Sequence, residues 1–195
     1  MTHFFRYLTH PQVLVDPNKP VPDWSLNETG QARVAALAGA VALRRTTRII
    51  SSAEVKALET AQPLADALGL LVTVMIETHE NDRSATGFLP PDAFERAADA
   101  FFAAPDTSMS GWETARAAQA RILQEVQGVM AQSSDGDTLF VGHGGVGTLL
   151  YCALAGLPID RKHDQGPGGG GNVFTCPQDS MKPQGPWLPM ESLRA

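Results

Sequence analysis

The chain has little cysteine and no long apolar run. Its two cysteines, Cys152 and Cys176, lie in different predicted elements without CxxC or other metal-binding spacing, so we expect free thiols. The longest apolar runs are far shorter than the roughly 20 residues of a membrane-spanning helix. The first residues, "MTHFFRYLTH", lack the features of a signal peptide. We therefore expect a cytoplasmic protein that has no membrane partner.

Positive charge is also scarce. Fifteen Lys and Arg residues stand against 21 Asp and Glu residues, a formal net charge of −6, which disfavours a nucleic-acid partner. An acidic chain can still concentrate positive potential inside a small pocket, so the overall charge is compatible with a phosphorylated ligand. Because there is no internal repeat or long polar linker, we expect one domain over residues 1–195, with a Gly/Pro-rich C-terminal segment from about residue 164.

Short apolar runs alternate with longer segments of helical period. This alternation is typical of an α/β fold in which helices cover both faces of a doubly wound, mostly parallel sheet. The predicted strands are Phe4–Leu8, Arg48–Ile50, Leu70–Ile76 and Thr138–Val141, with an edge strand after the glycine run of "QGPGGGGNVFTCPQ". Two predicted helices follow caps, the first at Ser25 or Asn27 and the second at Ser52. Two more are predicted near residues 91–104 and 111–131, and a last helix follows the glycine-rich turn around His143 and ends near Gly156. Little regular structure is expected in the Pro-rich tail.

Two histidines follow predicted strands. His143 comes after the apolar "TLFV" and is surrounded by glycines, which let a ligand approach the backbone and leave the N–H groups of the next helix available to an anion. A packed histidine in a tight strand-to-helix turn is the alternative. His10 ends the first strand, since Pro11 has no N–H with which to extend a ladder. Because open α/β sheets bind ligands at the carboxyl ends of their strands, we expect both histidines in one crevice.

Two charged residues could complete such a site. Lys56 lies one turn into the helix of "SSAEVKALETA", from where its ammonium could reach an anion at the helix start, although a solvated helix lysine is the commoner case. Glu80 lies in the loop "HEND", and its carboxyl group would suit a general acid if burial raised its pKa.

In order and type, five segments resemble the histidine phosphatase superfamily, which has the phosphoglycerate-mutase-like fold. They are Thr9-His10-Pro11 in place of the family's Arg-His-Gly, "SLNETGQARVAALA", "SSAEVKALETA", the Glu80 loop and "VGHGGVGTLL". The resemblance extends to about residue 158. It implies phosphoryl transfer without a cofactor or metal, from a small phosphorylated substrate or a phosphoprotein.

The resemblance also implies a role for each matched residue. His10 would attack phosphorus and form a phosphohistidine, which divides one difficult displacement into two easier ones. His143, Lys56 and the amide of Gly144 would hold the phosphoryl oxygens. Glu80 would protonate the leaving oxygen and later activate water.

The sequence departs from the family at two arginines. Thr9 stands where the first is expected and Lys56 where the second is expected, so two fork-shaped phosphate donors become a hydroxyl and a point charge. One lost charge-assisted hydrogen bond costs about 1.5–3 kcal/mol, or roughly 10- to 150-fold in rate or affinity. Arg83, in the Glu80 loop, is the predicted substitute donor.

Four other interpretations remain beside a phosphatase of this mechanism. A degenerate phosphate-binding or regulatory protein would keep the pocket with little turnover. A mutase would return the phosphoryl group to a second hydroxyl. A metal hydrolase could use His10, His79, Glu80 and His143, although no two histidines have helical ligand spacing. A different register would place Arg6-Tyr7-Leu8 on the Arg-His-Gly positions.

Overall fold

The computed structural model describes residues 2–132 and 135–194, so Met1 and Ala195, the ends of the predicted 1–195 domain, lie outside the described part. A mixed sheet of six strands organises this part of the chain. The strands are β1 (Phe4–Thr9), β2 (Thr46–Ser52), β3 (Val72–Met75), β4 (Asp137–Gly142), β5 (Asn172–Pro177) and β6 (Leu188–Pro189). Their order is β3-β2-β4-β1-β5-β6, in which the first four are parallel and β5 and β6 are antiparallel to their neighbours.

Five α-helices of the described chain cover both faces of the sheet. They are α1 (Glu28–Leu37), α2 (Val55–Leu68), α3 (Pro91–Ala103), α4 (Ala115–Met130) and α5 (Gly144–Ala155). Short 3-10 turns occur at Val21–Asp23, Val41–Leu43, Ile76–Thr78, Arg161–His163 and Met190–Arg194. The central strand β4 is buried throughout, and its side chains alternate between the two cores, with Leu139 towards α1 and α2 and Phe140 towards α4 and α5. The predicted doubly wound α/β architecture is confirmed.

Local signals set several helix ends. Asn27, one of the two predicted caps, accepts the N–H of Gly30 at 2.9 Å. Ser52, which was predicted to cap the second helix, does not occupy the N-cap position. Its hydroxyl accepts the N–H of Glu54, and Glu54 is the residue directly before α2, which begins at Val55. Gly156 ends α5 in the left-handed conformation, with φ of 68°.

The C-terminal segment differs from the prediction in two respects. The edge-strand prediction for β5 is wrong, because β6 pairs with Asn172 and Val173 of β5 and is itself the edge strand of the sheet. The tail is also less irregular than predicted. Met190 and Leu193 are buried in the α1/α2 core, and this burial orders a 3-10 turn.

Two further expectations concern composition. Cys152 and Cys176 are free, as predicted, and both are buried. Within residues 2–132 and 135–194, no helix has the length and hydropathy required to cross a bilayer.

Candidate active site

Adjacent parallel strands bring the two histidines together. Thr9 of β1 pairs with Gly142 of β4, and the N–H of His10 donates to the Gly142 carbonyl at 2.9 Å. The ring centroids of His10 and His143 are 5.4 Å apart. The predicted meeting of the two histidines at the carboxyl edge of the sheet is therefore present in the structure.

The imidazole of His10 is held in one tautomer. Its Nδ1 lies 2.8 Å from the carbonyl oxygen of Pro11, and because a carbonyl can only accept, Nδ1 must carry the hydrogen. In the neutral ring Nε2 then has an available lone pair. Burial lowers the pKa of His10 to about 4, although the hydrogen bond to Pro11 acts in the opposite direction. At neutral pH, His10 is therefore an uncharged imidazole whose Nε2 carries no hydrogen.

His143 is fully buried at the start of α5. Its Nε2 lies 2.8 Å from the Ser52 hydroxyl and 3.5 Å from a carboxylate oxygen of Glu54. Burial lowers the pKa of His143 to about 3, against the attraction of Glu54. Its Nδ1 has no hydrogen-bond partner among the described residues. The Tyr7 hydroxyl accepts the backbone N–H of His143 at 3.2 Å and so helps to fix the turn between β4 and α5.

The turn around His143 requires glycine for steric reasons. A Cβ at Gly142 would lie 2.3 Å from the Tyr7 hydroxyl oxygen, and one at Gly147 would lie 2.6 Å from the Tyr7 ring. The glycines that the sequence places around His143 thus let the buried tyrosine approach this backbone.

Glu80 lies at the N-terminus of α5. Its carboxylate accepts the N–H groups of Gly145 at 3.1 Å and Val146 at 2.7 Å. Burial is the largest influence and raises the pKa of Glu80, while these N–H groups oppose the change. A carboxyl group with a raised pKa can hold a proton for transfer, which is the property predicted for a general acid.

Lys56 is buried and already has an anionic partner. Its ammonium donates to the Val21 carbonyl at 2.8 Å and forms an ion pair with the Glu54 carboxylate. Glu54 also accepts the N–H of Glu80 at 2.9 Å. Burial opposes ionisation of Glu54, but His143, Lys56 and this N–H outweigh it and lower the pKa of Glu54 to about 2. Sequence reasoning missed Glu54, whose one local signal is its place two residues before Lys56.

Thr9 and Arg83, the residues predicted to bind phosphate in place of an arginine, lie on different sides of the cavity wall: Arg83 lines the cavity and Thr9 does not. The Thr9 hydroxyl donates to the Gln165 side chain at 2.6 Å and accepts the N–H of Asn172 at 3.0 Å, and Thr9 does not line the cavity. Arg83 does line it, with its guanidinium 4.8 Å from the ring centroid of Phe94. Burial lowers the pKa of Arg83, while Glu80 and Glu54 oppose the change. Gln165, which sequence reasoning missed, lies on the cavity wall where Thr9 was expected to act.

A cavity of about 1350 Å³ opens onto this group. Five of the predicted site residues line it, namely His10, Lys56, Glu80, Arg83 and Gly144, whereas His143 lies behind the wall. Aromatic side chains form another part of the wall, contributed by Trp24, Phe94, Phe101, Phe102 and Trp112. Arg6, Tyr7 and Leu8 do not line the cavity, and Arg6 pairs with Asp137 at 2.8 Å. The structure therefore favours Thr9-His10-Pro11 over the alternative register.

Three known proteins are similar to this chain in sequence or in fold. A curated relative, glucosyl-3-phosphoglycerate phosphatase of Mycolicibacterium vanbaalenii, is 32% identical over an alignment of 159 residues that covers 71% of this chain and 67% of the relative. The solved structure of mycobacterial glucosyl-3-phosphoglycerate phosphatase with inorganic phosphate superposes with a TM-score of 0.74 at 22% identity, covering 95% of this chain and 94% of the other. The phosphoserine phosphatase of Entamoeba histolytica in complex with 3-phosphoglyceric acid gives a TM-score of 0.72 at 16% identity, with 89% of each chain covered.

The family model of the histidine phosphatase superfamily (branch 1) matches residues 18–169. The matched range contains Lys56, Glu80 and His143 but begins after His10. The match spans well over half of the chain and agrees with the resemblance inferred from the motifs. The chain belongs to the histidine phosphatase superfamily.

Proposed function

We propose that this protein is a phosphatase that hydrolyses a phosphomonoester through a phosphohistidine at Nε2 of His10. One observation carries the proposal. The Pro11 carbonyl holds the hydrogen of His10 on Nδ1, so that the lone pair of a neutral Nε2 is available at the cavity. The phosphatase relative and the superfamily membership support the same chemistry.

In the first step, Nε2 of His10 attacks phosphorus while the bond from phosphorus to the leaving oxygen breaks. Protonated Glu80 gives its proton to that oxygen, and the alcohol leaves. The phosphorylated imidazole is then a cation that keeps its hydrogen bond to the Pro11 carbonyl. In the second step, water attacks phosphorus, Glu80 takes the proton of the water, and the bond between nitrogen and phosphorus breaks. Inorganic phosphate and neutral His10 result.

The cavity supports an organic leaving group of substantial size. Its volume of about 1350 Å³ far exceeds that of a phosphate ion, and its aromatic wall can contact the carbon skeleton of a substrate. The curated relative is named for a phosphorylated glucosyl compound, which fits a site of this kind. We infer a small phosphomonoester rather than a phosphoprotein as the substrate.

Chemical trapping tests the mechanism. The protein is incubated with a panel of sugar, glycerate and amino-acid phosphates, quenched rapidly, and analysed by mass spectrometry for an acid-labile phosphoryl group. We expect that group on His10, and turnover reduced at least ~10³-fold in His10→Ala. His3→Ala, which alters a partly exposed histidine outside the cavity, is the matched control and should keep full activity. An active enzyme in which His10 stays unlabelled would contradict the proposal.

A degenerate phosphate-binding protein is the second candidate function. The ion pair between Glu54 and Lys56 favours the low turnover of such a protein, because this carboxylate neutralises a buried cation of the cavity wall that could otherwise stabilise the transition state. That interpretation predicts phosphate binding with turnover no faster than that of His10→Ala.

A further inference from the structure

Glu54 separates the cavity from His143. The Glu54 side chain lines the cavity wall, whereas His143 is fully buried and does not. One oxygen of the carboxylate lies 3.5 Å from Nε2 of His143, and the other pairs with the ammonium of Lys56. The carboxylate therefore lies between the cation and the imidazole that the resemblance assigns to phosphoryl oxygens.

The contacts of Glu54 are those of a bound anion. It accepts from the Lys56 ammonium and, at 2.9 Å, from the backbone N–H of Glu80, while only 8% of the residue is exposed. Carboxylate and phosphate oxygens compete for the same donors, because both bind through charge-assisted hydrogen bonds. A phosphoryl group cannot use Lys56 fully while Glu54 holds it.

We propose that the Glu54 carboxylate occupies the anion subsite between Lys56 and His143, so that a phosphoryl group binds there only against this internal anion. The proposal rests on the proposed function in taking this cavity as the phosphoryl site. Glu54 is then a specificity-determining residue. It opposes free phosphate and the phosphoryl end of a phosphomonoester by the same free energy, and only the phosphomonoester offsets this loss, because its leaving group also contacts the aromatic wall.

Removing the charge of Glu54 while keeping its shape tests this inference. Glu54→Gln retains an oxygen acceptor but removes the negative charge of this side chain from the subsite. We expect the Kd for inorganic phosphate, measured by isothermal titration calorimetry at pH 7, to fall at least ~10-fold. The matched control is Glu59→Gln in α2, the helix that begins directly after Glu54; the Glu59 carboxylate accepts the Leu26 N–H at 2.7 Å and does not line the cavity. Its Kd should equal that of the wild type.

A double variant keeps the test decisive if Glu54→Gln alone fails to fold with Lys56 unpaired. Glu54→Gln/Lys56→Gln removes both buried charges and leaves two groups that can hydrogen-bond to each other. If the internal anion cancels Lys56, this protein should bind phosphate at least as tightly as the wild type. Weaker binding by the folded double variant, or no gain in affinity for folded Glu54→Gln, would overturn the inference.

Binding and turnover separate this inference from the proposed function. Tighter phosphate binding by Glu54→Gln, in a protein that shows no His10-dependent turnover, would uphold the anion subsite and reject the phosphatase. Turnover that depends on His10, with phosphate affinity unchanged in Glu54→Gln, would reject the anion subsite and uphold the phosphatase.

Discussion

The glycine run before β5, Gly168–Gly171, packs closely against the backbone of His10. Replacing Gly170 should therefore lower both the stability and the activity of the protein. Gly170 has φ of +89°, and a Cβ built there would lie 2.2 Å from the carbonyl oxygen of His10. The neighbouring Gly171 donates its N–H to that same oxygen at 3.0 Å. Gly166 offers a matched comparison, since its φ is +86° and a Cβ there would meet nothing within 4 Å.

The magnitudes follow from strain and from contact. A non-glycine residue at such a φ costs about 1–2 kcal/mol, and this cost applies to Gly166→Ala and Gly170→Ala alike. Only Gly170→Ala must also move the His10 carbonyl or the glycine run by about 1 Å, an overpacking cost of about 1–3 kcal/mol. We therefore expect Gly170→Ala to lose about 2–5 kcal/mol of unfolding free energy and Gly166→Ala about 1–2 kcal/mol.

The same displacement should slow the reaction, because a misplacement of about 1 Å in a reacting group costs roughly 100-fold. Urea unfolding, with the midpoint and slope fitted for each variant, measures the stability difference. Single-turnover formation of phosphohistidine, on a substrate identified in the trapping panel, measures the rate. If Gly166→Ala and Gly170→Ala lose the same stability and keep the same rate, the contact between the glycine run and His10 has no energetic consequence and the reasoning fails.

Two predictions concern pH. Because the first step needs neutral His10 and protonated Glu80, kcat/KM should rise with pH through about 4, where His10 loses its proton, and fall above the raised pKa of Glu80; a profile that does not fall on the alkaline side would remove Glu80 as the acid. Burial keeps His143 neutral in the folded state down to about pH 3, whereas the unfolded chain takes up a proton near its ordinary pKa of 6.5, so stability is lost as the pH falls below 6.5. His143→Gln should lose about 3 kcal/mol less than the wild type between pH 7 and pH 4, measured by urea unfolding, and parallel curves would contradict this assignment.

Much of the architecture follows from local signals. The uninterrupted apolar run before His143 identified the buried strand β4, and Gly156 identified the end of α5. The order of the motifs along the chain indicated the histidine phosphatase superfamily. The closeness of His10 and His143 could also be predicted, because parallel neighbouring strands deliver their carboxyl ends to one edge.

The tail was harder to predict because its order comes from remote partners. Met190 and Leu193 are held by burial against the α1/α2 core, and β6 is held by pairing with β5. Neither contact leaves a periodic pattern in a short proline-rich segment.

The sequence by itself determined which groups are available for chemistry, since residue type sets whether a side chain can attack, donate a proton or bind an anion. Only the tertiary structure decided which partners those groups have. Thr9 turned out to bond to Gln165, and Lys56 to pair with Glu54. Gly170 lies against the backbone of His10, which is far away in the sequence. The reason is physical: hydrogen bonds and ion pairs act over a few ångströms of space, and only folding sets those distances between residues far apart in the chain.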